Sequence, residues 1–365
     1  MVCVFKRLFS MTRAVQLSYI DGFKPLVAKT GLAGAIGNTP LIKLNKLSEE
    51  TGRNIWGKAE WMNPGGSIKD RAALWLIESA EKRGMIKPGG TIVEGTAGNT
   101  GIGLAHVCRA KGYKCVIFMN NTQAPGKMQT LKLLGAEVHA VAPAPFSKPE
   151  NFNHLAKKFA DETENAYYTD QFENLDNRQS HIESTGPEIY EQLDGKVAAF
   201  TCSLGSGGTW SGVTHYLKSK DPKMKSYVAE PPGSCVYVYV KSGGKSIDVD
   251  GGSITEGIGQ RRITGNVAAD IKYAEDAFLV PDEETISMLY RLIDDEGIYV
   301  GSTAALNVVA AVRAAEHVPE GSNVVTILTD SAHKYSDRIF SKKWLQSKNL
   351  YDCIPDHLKK YAALV

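Results

Sequence analysis

The 365-residue sequence has no apolar run approaching the roughly 18 residues that a membrane-spanning helix requires, so no bilayer span is expected. It also lacks an excess of charge of one sign. The 42 basic and 40 acidic residues leave a formal net charge of +2, and no basic stripe interleaved with aromatics is present to hold nucleic acid. The cysteines, Cys3, Cys108, Cys115, Cys202, Cys235 and Cys353, form no CxxC pair and have no histidines at metal-ligand spacing. No metal site and no disulfide framework is therefore expected, and Cys108 and Cys115 read as reduced, buried thiols. Repeats and low-complexity tracts are absent as well. What remains, 43% hydrophobic residues and 35 glycines, is the profile of a globular chain whose ligand is small.

From Ile55 onward, short β-branched or aliphatic runs alternate with longer periodic ones. "TIVEGT" (91–96) leads into "IGLAHVCRAKG", "KCVIFM" (114–119) into "GKMQTLKLLG", and "AEVHAVA" (136–142) into "NFNHLAKKFADET". "KVAAFTCSLG" (196–205) leads into "TWSGVTHYLKSK", and "NVVTILTD" (323–330) into a helix over "SDRIFSKKWLQ". Strands separated by amphipathic helices predict an α/β fold with mostly parallel twisted sheets in two units. The polar stretch Pro143 to Asn151 and the turn-rich "TDQFENLDNR" (169–178) separate the halves, and "KSGGKSIDVDGG" (241–252) reads as a surface loop. In such sheets ligands bind beyond the carboxyl ends of strands, so the glycine-rich loops there are the places to look.

In "SLGSGGTWSG", Gly205, Ser206, Gly207, Gly208 and Thr209 lie between an apolar strand and an amphipathic helix. Glycines admit an anion close to the backbone, and first-turn N–H groups point at it with the positive end of the helix dipole. The loop lacks the Lys-Ser/Thr ending of a nucleoside-triphosphate loop, and no GxGxxG occurs at a first βα turn. A smaller phosphorylated ligand fits better than either, a plain surface turn being the alternative. "EGTAGNTGIG" repeats the arrangement, with Thr96, Asn99 and Thr100 as donors for a carboxylate or ring hydroxyl, or with Asn99 or Thr100 as a simple helix cap.

In "NPGGSIKDR" (63–71), Ser67 is placed to cap a helix beginning near Asp70, which puts Lys69 in its first turn. Asp70 and Glu78 read as ordinary surface residues. A cation at a helix start opposes the dipole, and the same dipole favours the neutral amine that nucleophilic chemistry needs. A lone lysine of this kind is also commonly just solvated. In "EGIYVGSTAALNVVAAV", Ser302 and Thr303 read as N-caps of an apolar helix.

Taken together, these segments resemble the fold-type II pyridoxal-phosphate enzymes, and most closely the cysteine synthase (O-acetylserine sulfhydrylase) family in its fungal form. The resemblance spans roughly residues 34–340 and runs in order through "IGNTPLIKL", "NPGGSIKDR", "TAGNTG", "DQFENLDN", "STGPEIYEQL", "GSGGT", "VAEP" and "EGIG". It implies that pyridoxal 5'-phosphate is bound with Lys69 as its Schiff-base lysine and as the catalytic base. Gly205 to Thr209 would hold the phosphate, Asn99 the ring hydroxyl and Thr303 the ring nitrogen, with Thr96, Gly98, Thr100, Gln171 and Gly257 on the substrate. The implied reaction is β-replacement, making L-cysteine from O-acetyl-L-serine and sulfide through an aminoacrylate. Cystathionine β-synthase-like or cysteine desulfhydrase chemistry is the enzymatic alternative, and a cofactor-binding protein with little catalysis the non-enzymatic one.

Three departures from the family pattern stand out. Ala97 replaces the usual serine, removing a hydroxyl whose hydrogen bond to a charged group is worth about 1.5–3 kcal/mol. "GSTAAL" replaces two serines and a glycine, and "NNTQAPGKMQTLKLLGA" lacks the family's arginine-bearing version. The expected division is a leader over 1–20, a smaller mobile domain over 56–174, a larger phosphate-binding domain over 21–55 and 175–345, and a tail over 346–365. The leader holds Lys6, Arg7 and Arg13 and no acid before Asp21, which suits mitochondrial targeting, with the cytoplasm as the alternative. A homodimer is implied by the family resemblance.

Overall fold

A computed structural model describes residue 28 and residues 30–96, 98–123 and 125–364. The expected leader and Ala97 lie outside the described residues. Among the described residues ten strands form two sheets: β1 (Leu41–Lys43), β2 (Asn54–Ala59), β3 (Thr91–Gly95), β4 (Lys114–Asn120), β5 (Glu137–Val141), β6 (Ala166–Tyr168), β7 (Ala199–Ser203), β8 (Lys225–Glu230), β9 (Asp276–Leu279) and β10 (Asn323–Leu328). The six-stranded sheet runs β1-β2-β10-β7-β8-β9, parallel except for β1 against β2, and the four-stranded sheet runs β5-β4-β3-β6, parallel throughout. The α/β expectation is met.

Parallel neighbours need crossovers long enough to return the chain, and helices supply them. The ones used below are α1 (Lys69–Lys82), α2 (Asn99–Lys111), α3 (Pro125–Leu133), α4 (Phe152–Glu162), α5 (Gly208–Lys220), α6 (Asp282–Glu296), α7 (Ser302–Ala315) and α8 (Lys342–Ser347). Because helices cover both faces, β3 and β7 are buried at every position, which explains their continuous apolar runs. Polar Asn151 starts α4 by accepting the Asn153 N–H through its side chain. Helix α7, rich in alanine and valine, is buried on nearly all sides between α6 and the six-stranded sheet, as an all-round apolar helix must be.

Three expectations change. The boundary at residue 56 falls inside β2, a strand hydrogen-bonded along its length to β10 of the six-stranded sheet. The helix expected after β10 is two short ones, Ser336–Ile339 and α8, because Ser341 turns its hydroxyl to the Trp344 N–H and restarts the helix there. The segment expected as a tail packs Leu350, Ile354 and Leu358 into the core around α6 and α7. Each buried leucine or isoleucine side chain contributes on the order of 1.5–3 kcal/mol, enough to fix the segment in place. The described cysteines are all free thiols, and Cys108 and Cys115 are buried as expected.

Candidate active site

The carboxyl ends of β3, β7 and β10 converge on a cavity of about 620 Å³. Lys69, Asn99, Cys202, Gly205, Thr303 and Asp330 are among the residues lining it. Lys69 is the first residue of α1, and its N–H reaches the Ser67 hydroxyl at 3.3 Å. The preceding turn closes through Gly66 N–H to Asn63 O at 2.8 Å, with Gly66 at φ +75°, a conformation that suits glycine. The Ile68 N–H donates to Thr329 O at 3.0 Å, which stitches the lysine turn to the end of β10. Lys69 is half-buried and lines the cavity. Burial lowers its pKa, against smaller upward pulls from Cys202 and Asp330, and so favours the neutral, nucleophilic amine.

Asp70 is not on the surface. It is 1% exposed, accepts the Gly65 N–H, and burial pushes its carboxyl up to about 7. A Cβ on Gly65 would stand 2.5 Å from that carboxylate, so this glycine is required by contact. Arg71 is buried too. It clasps Glu60 (2.8 Å) and Glu188 (2.6 Å), and Glu188 also meets Lys58 at 2.7 Å. The Arg71 and Lys58 charges, outweighing burial, lower the Glu188 carboxyl to about 2. This buried cluster ties α1 to the segment after β2 and to "STGPEIYEQL".

The asparagine loop follows β3. Gly98, at φ +151°, precedes α2, and no side chain caps that helix, so the capping reading of Asn99 and Thr100 does not hold. Asn99 Nδ2 donates to Asp330 Oδ2 at 2.8 Å. Thr100 Oγ1 donates to Gln171 Oε1 at 2.6 Å, joining two residues expected to meet substrate. Behind them Glu94, wholly buried, accepts from the Gln171 N–H at 3.1 Å and the Gly95 N–H at 2.9 Å, and from the Thr169 hydroxyl. Thr96, Gly98, Asn99, Thr100 and Gln171 all reach the cavity wall.

The glycine loop follows β7. Helix α5 begins at Gly208 with Gly207 as its cap at φ +91°, no capping side chain and no acid in its first turn. Its first N–H groups are therefore left for a ligand. Gly205, Ser206 and Thr209 face the cavity, while Gly207 and Gly208 form the back of the loop. A Cβ on Gly205 would lie 2.3 Å from Gly257 O, and one on Gly207 2.3 Å from Val267 Cγ2. At the wall, the buried Ser203 hydroxyl has no partner among the described residues. Uncapped N–H groups, hydroxyls, an orphaned polar atom and a lysine whose pKa burial lowers, together in one cavity, fit pyridoxal phosphate.

Thr303 lines the cavity, and its hydroxyl reaches Glu256 O at 3.4 Å. Neither it nor Ser302 caps α7, whose N-cap is Gly301. Gly257 lies on the wall as expected. Sequence reasoning missed Lys127, Glu256, Asp330, Tyr335 and Cys202. Lys127 on α3 pairs with Glu256, which also receives Arg338 Nη1 at 2.7 Å, joining α3 to the loop of Gly257. Tyr335 donates its hydroxyl to Asp330 Oδ2 at 2.7 Å. Asp330 and Cys202 stand at strand ends, where the rule for open sheets would have found them; Tyr335 has no such signal.

A family model described as pyridoxal-phosphate dependent enzyme matches residues 32–330. Cysteine synthase 1 of Neurospora crassa is 58% identical over 335 residues, covering 92% of this chain and 89% of that protein. Cysteine synthase 1 of Emericella nidulans is 56% identical over 351 residues, covering 96% and 94%. Among solved structures, a hydrogen sulfide-producing enzyme from Fusobacterium nucleatum matches with a TM-score of 0.76 at 34% identity, covering 85% of this chain and 100% of that one.

Proposed function

The chain belongs to the pyridoxal-phosphate-dependent enzyme family, and from that premise we propose that it is a cysteine synthase, forming L-cysteine and acetate from O-acetyl-L-serine and sulfide. The observation that carries the reading is the meeting of Lys69, an amine whose pKa burial lowers, with two uncapped helix N-termini in one cavity. When bound, pyridoxal phosphate supplies a conjugated ring that draws in electrons freed at the substrate α-carbon.

The chain's residues do the rest. The N–H groups of Gly205 to Thr209 hold the phosphate, Asn99 meets the ring hydroxyl, and Thr303 serves the ring nitrogen. Thr96, Gly98, Thr100, Gln171 and Gly257 hold the substrate, above all its carboxylate, and so set which α-carbon bond faces Lys69. Lys69 anchors the cofactor, and its Nζ then takes the α-proton, a task that suits an amine whose pKa burial has lowered.

The test is product analysis. Purified holoprotein given O-acetylserine and sulfide should release cysteine and acetate, and Lys69→Ala should lose cysteine formation together with the visible absorbance of the lysine-bound cofactor. Cysteine formation by the alanine variant would sink the assignment. Two finer readings go with it. The basic, acid-poor composition of residues 1–20 supports a mitochondrial location, checked by the distribution of the full chain against a chain lacking those residues. The family resemblance supports a homodimer of two-domain subunits, checked by sedimentation.

A further inference from the structure

The asparagine loop and the turn before Lys69 meet at the Nζ of Lys334. It lies 2.9 Å from Asn99 Oδ1, 3.2 Å from Gly65 O and 3.4 Å from Gly66 O. An ammonium carries three N–H donors and no acceptor, so three oxygens at these distances use it fully. On the far side of the Asn99 amide, Asp330 accepts from Nδ2 at 2.8 Å. A side-chain amide has nearly the same shape either way round, and only its partners fix which end is which. Here a reversed amide would set NH2 against an ammonium and C=O against a carboxylate, losing two charge-assisted hydrogen bonds. Asn99 and Asp330 belong to the cavity wall, whereas Lys334 stands behind it. The donor end of the amide is thus the one on the side of the wall. Other charged or titratable groups around the cluster include Lys69 and Asp70 on α1, His106 on α2, Lys127 on α3 with its partner Glu256, and Tyr335 beside Asp330.

Resting on the reading that Asn99 meets the cofactor ring hydroxyl, we propose that Lys334 is a positioning residue. With Asp330 it clamps the Asn99 amide so that a donor is presented to the ring oxygen, and through Gly65 and Gly66 it holds the turn that leads to Lys69.

The test uses holoenzyme without substrate. Lys334→Met keeps the aliphatic stem and removes the charge and donors. Its visible absorption spectrum and its dissociation constant for pyridoxal phosphate are compared in the wild-type and Asn99→Ala backgrounds. In the wild-type background the balance of visible bands should shift and cofactor binding should weaken about tenfold, the factor for one charge-assisted hydrogen bond. With alanine at position 99 the further change should be clearly smaller, limited to what the Gly65 and Gly66 contacts contribute. An unaltered spectrum, or an equal shift in both backgrounds, overturns the proposal. Lys334→Gln, which keeps a shorter donor, runs in parallel in case the methionine variant does not fold. The same direction at smaller size is expected of it, and a folded glutamine variant with the wild-type spectrum overturns the proposal equally. Cysteine formation by the unaltered protein is measured separately. Its absence would remove the proposed function and leave the double-mutant comparison intact, because that comparison needs only bound cofactor.

Discussion

The asparagine loop and the glycine loop solve the same problem in different materials. Each follows a wholly buried strand, each opens an uncapped helix, and each is backed by a buried glutamate, Glu94 behind the first and Glu230 behind the second. The glycine loop is shaped by backbone contact, with no room for a Cβ at Gly205, Gly207 or Gly208. The asparagine loop is shaped by side-chain hydrogen bonds: Thr100 to Gln171, Asn99 to Asp330, and the Gln171 N–H to the Glu94 carboxylate. Close-packed backbone suits a phosphate that stays; side-chain bonds, which can be exchanged one at a time, suit a substrate carboxylate that arrives and leaves. Asn177 joins the two, its Nδ2 reaching Gln171 O and Ser206 Oγ, both at 2.8 Å.

The comparison breaks hardest at Gly207. Alanine there must hold φ near +91° and intrude on Val267, a strain on the order of 1–3 kcal/mol. The expected result is cofactor affinity lower by about tenfold or more, with the KM for O-acetylserine in the cofactor-saturated enzyme little changed. Thr100→Val tests the other loop. It removes the 2.6 Å bond to Gln171, and should raise the KM for O-acetylserine about tenfold while leaving the cofactor dissociation constant alone. If the two variants fail in the same way, by titration of cofactor and by steady-state kinetics, the loops do not divide the labour.

How far the sequence revealed this site depends on the kind of signal. Strands with buried faces and helices with a 3.6-residue period announce themselves locally, so β3, β4, β7 and their helices were placed within a few residues. Glycine loops after strands, and a lysine at a helix start, are local too. Asp70 and Arg71 were legible as a motif and illegible as structure, because their burial depends on Glu60, Gly65 and Glu188, and Glu188 stands in "STGPEIYEQL" more than a hundred residues away. Lys334 and Tyr335 carry no periodicity or spacing that points to a cavity; only the return of β10 beside β2 and β7 brings them to Asn99. The boundary at 56 was misplaced for the same reason, since β2 finds its partner β10 at the far end of the chain.

The smallest expected effect separates the two buried glutamates. Burial pushes both Glu94 and Glu230 up to about 8. An unfolded glutamate titrates near about 4.3, so each folded value lies above its unfolded one. The stability linked to each is then fully present below that lower value and lost as pH rises through about 8, on the order of a few kcal/mol over the window. Glutamine cannot titrate, so Glu94→Gln and Glu230→Gln should each flatten the fall in stability between about pH 5 and about pH 8, read by denaturant unfolding. Their absolute effects should differ. Glu230 Oε1 accepts the Leu204 N–H at 3.0 Å and the Ser234 hydroxyl stands beside the carboxyl, able to accept from an amide NH2 as well as to donate, so the variant should match or exceed wild type near pH 8. Both Glu94 oxygens are occupied by donors, so glutamine must turn its NH2 against one of them and lose about 1–3 kcal/mol near pH 5, a gap that narrows towards pH 8 as wild type loses its own linked stability. The KM for O-acetylserine should rise with it, because the Gln171 N–H is among the bonds at stake. Equal behaviour of the two variants would mean that the loops are supported alike and differ only in what faces the cavity.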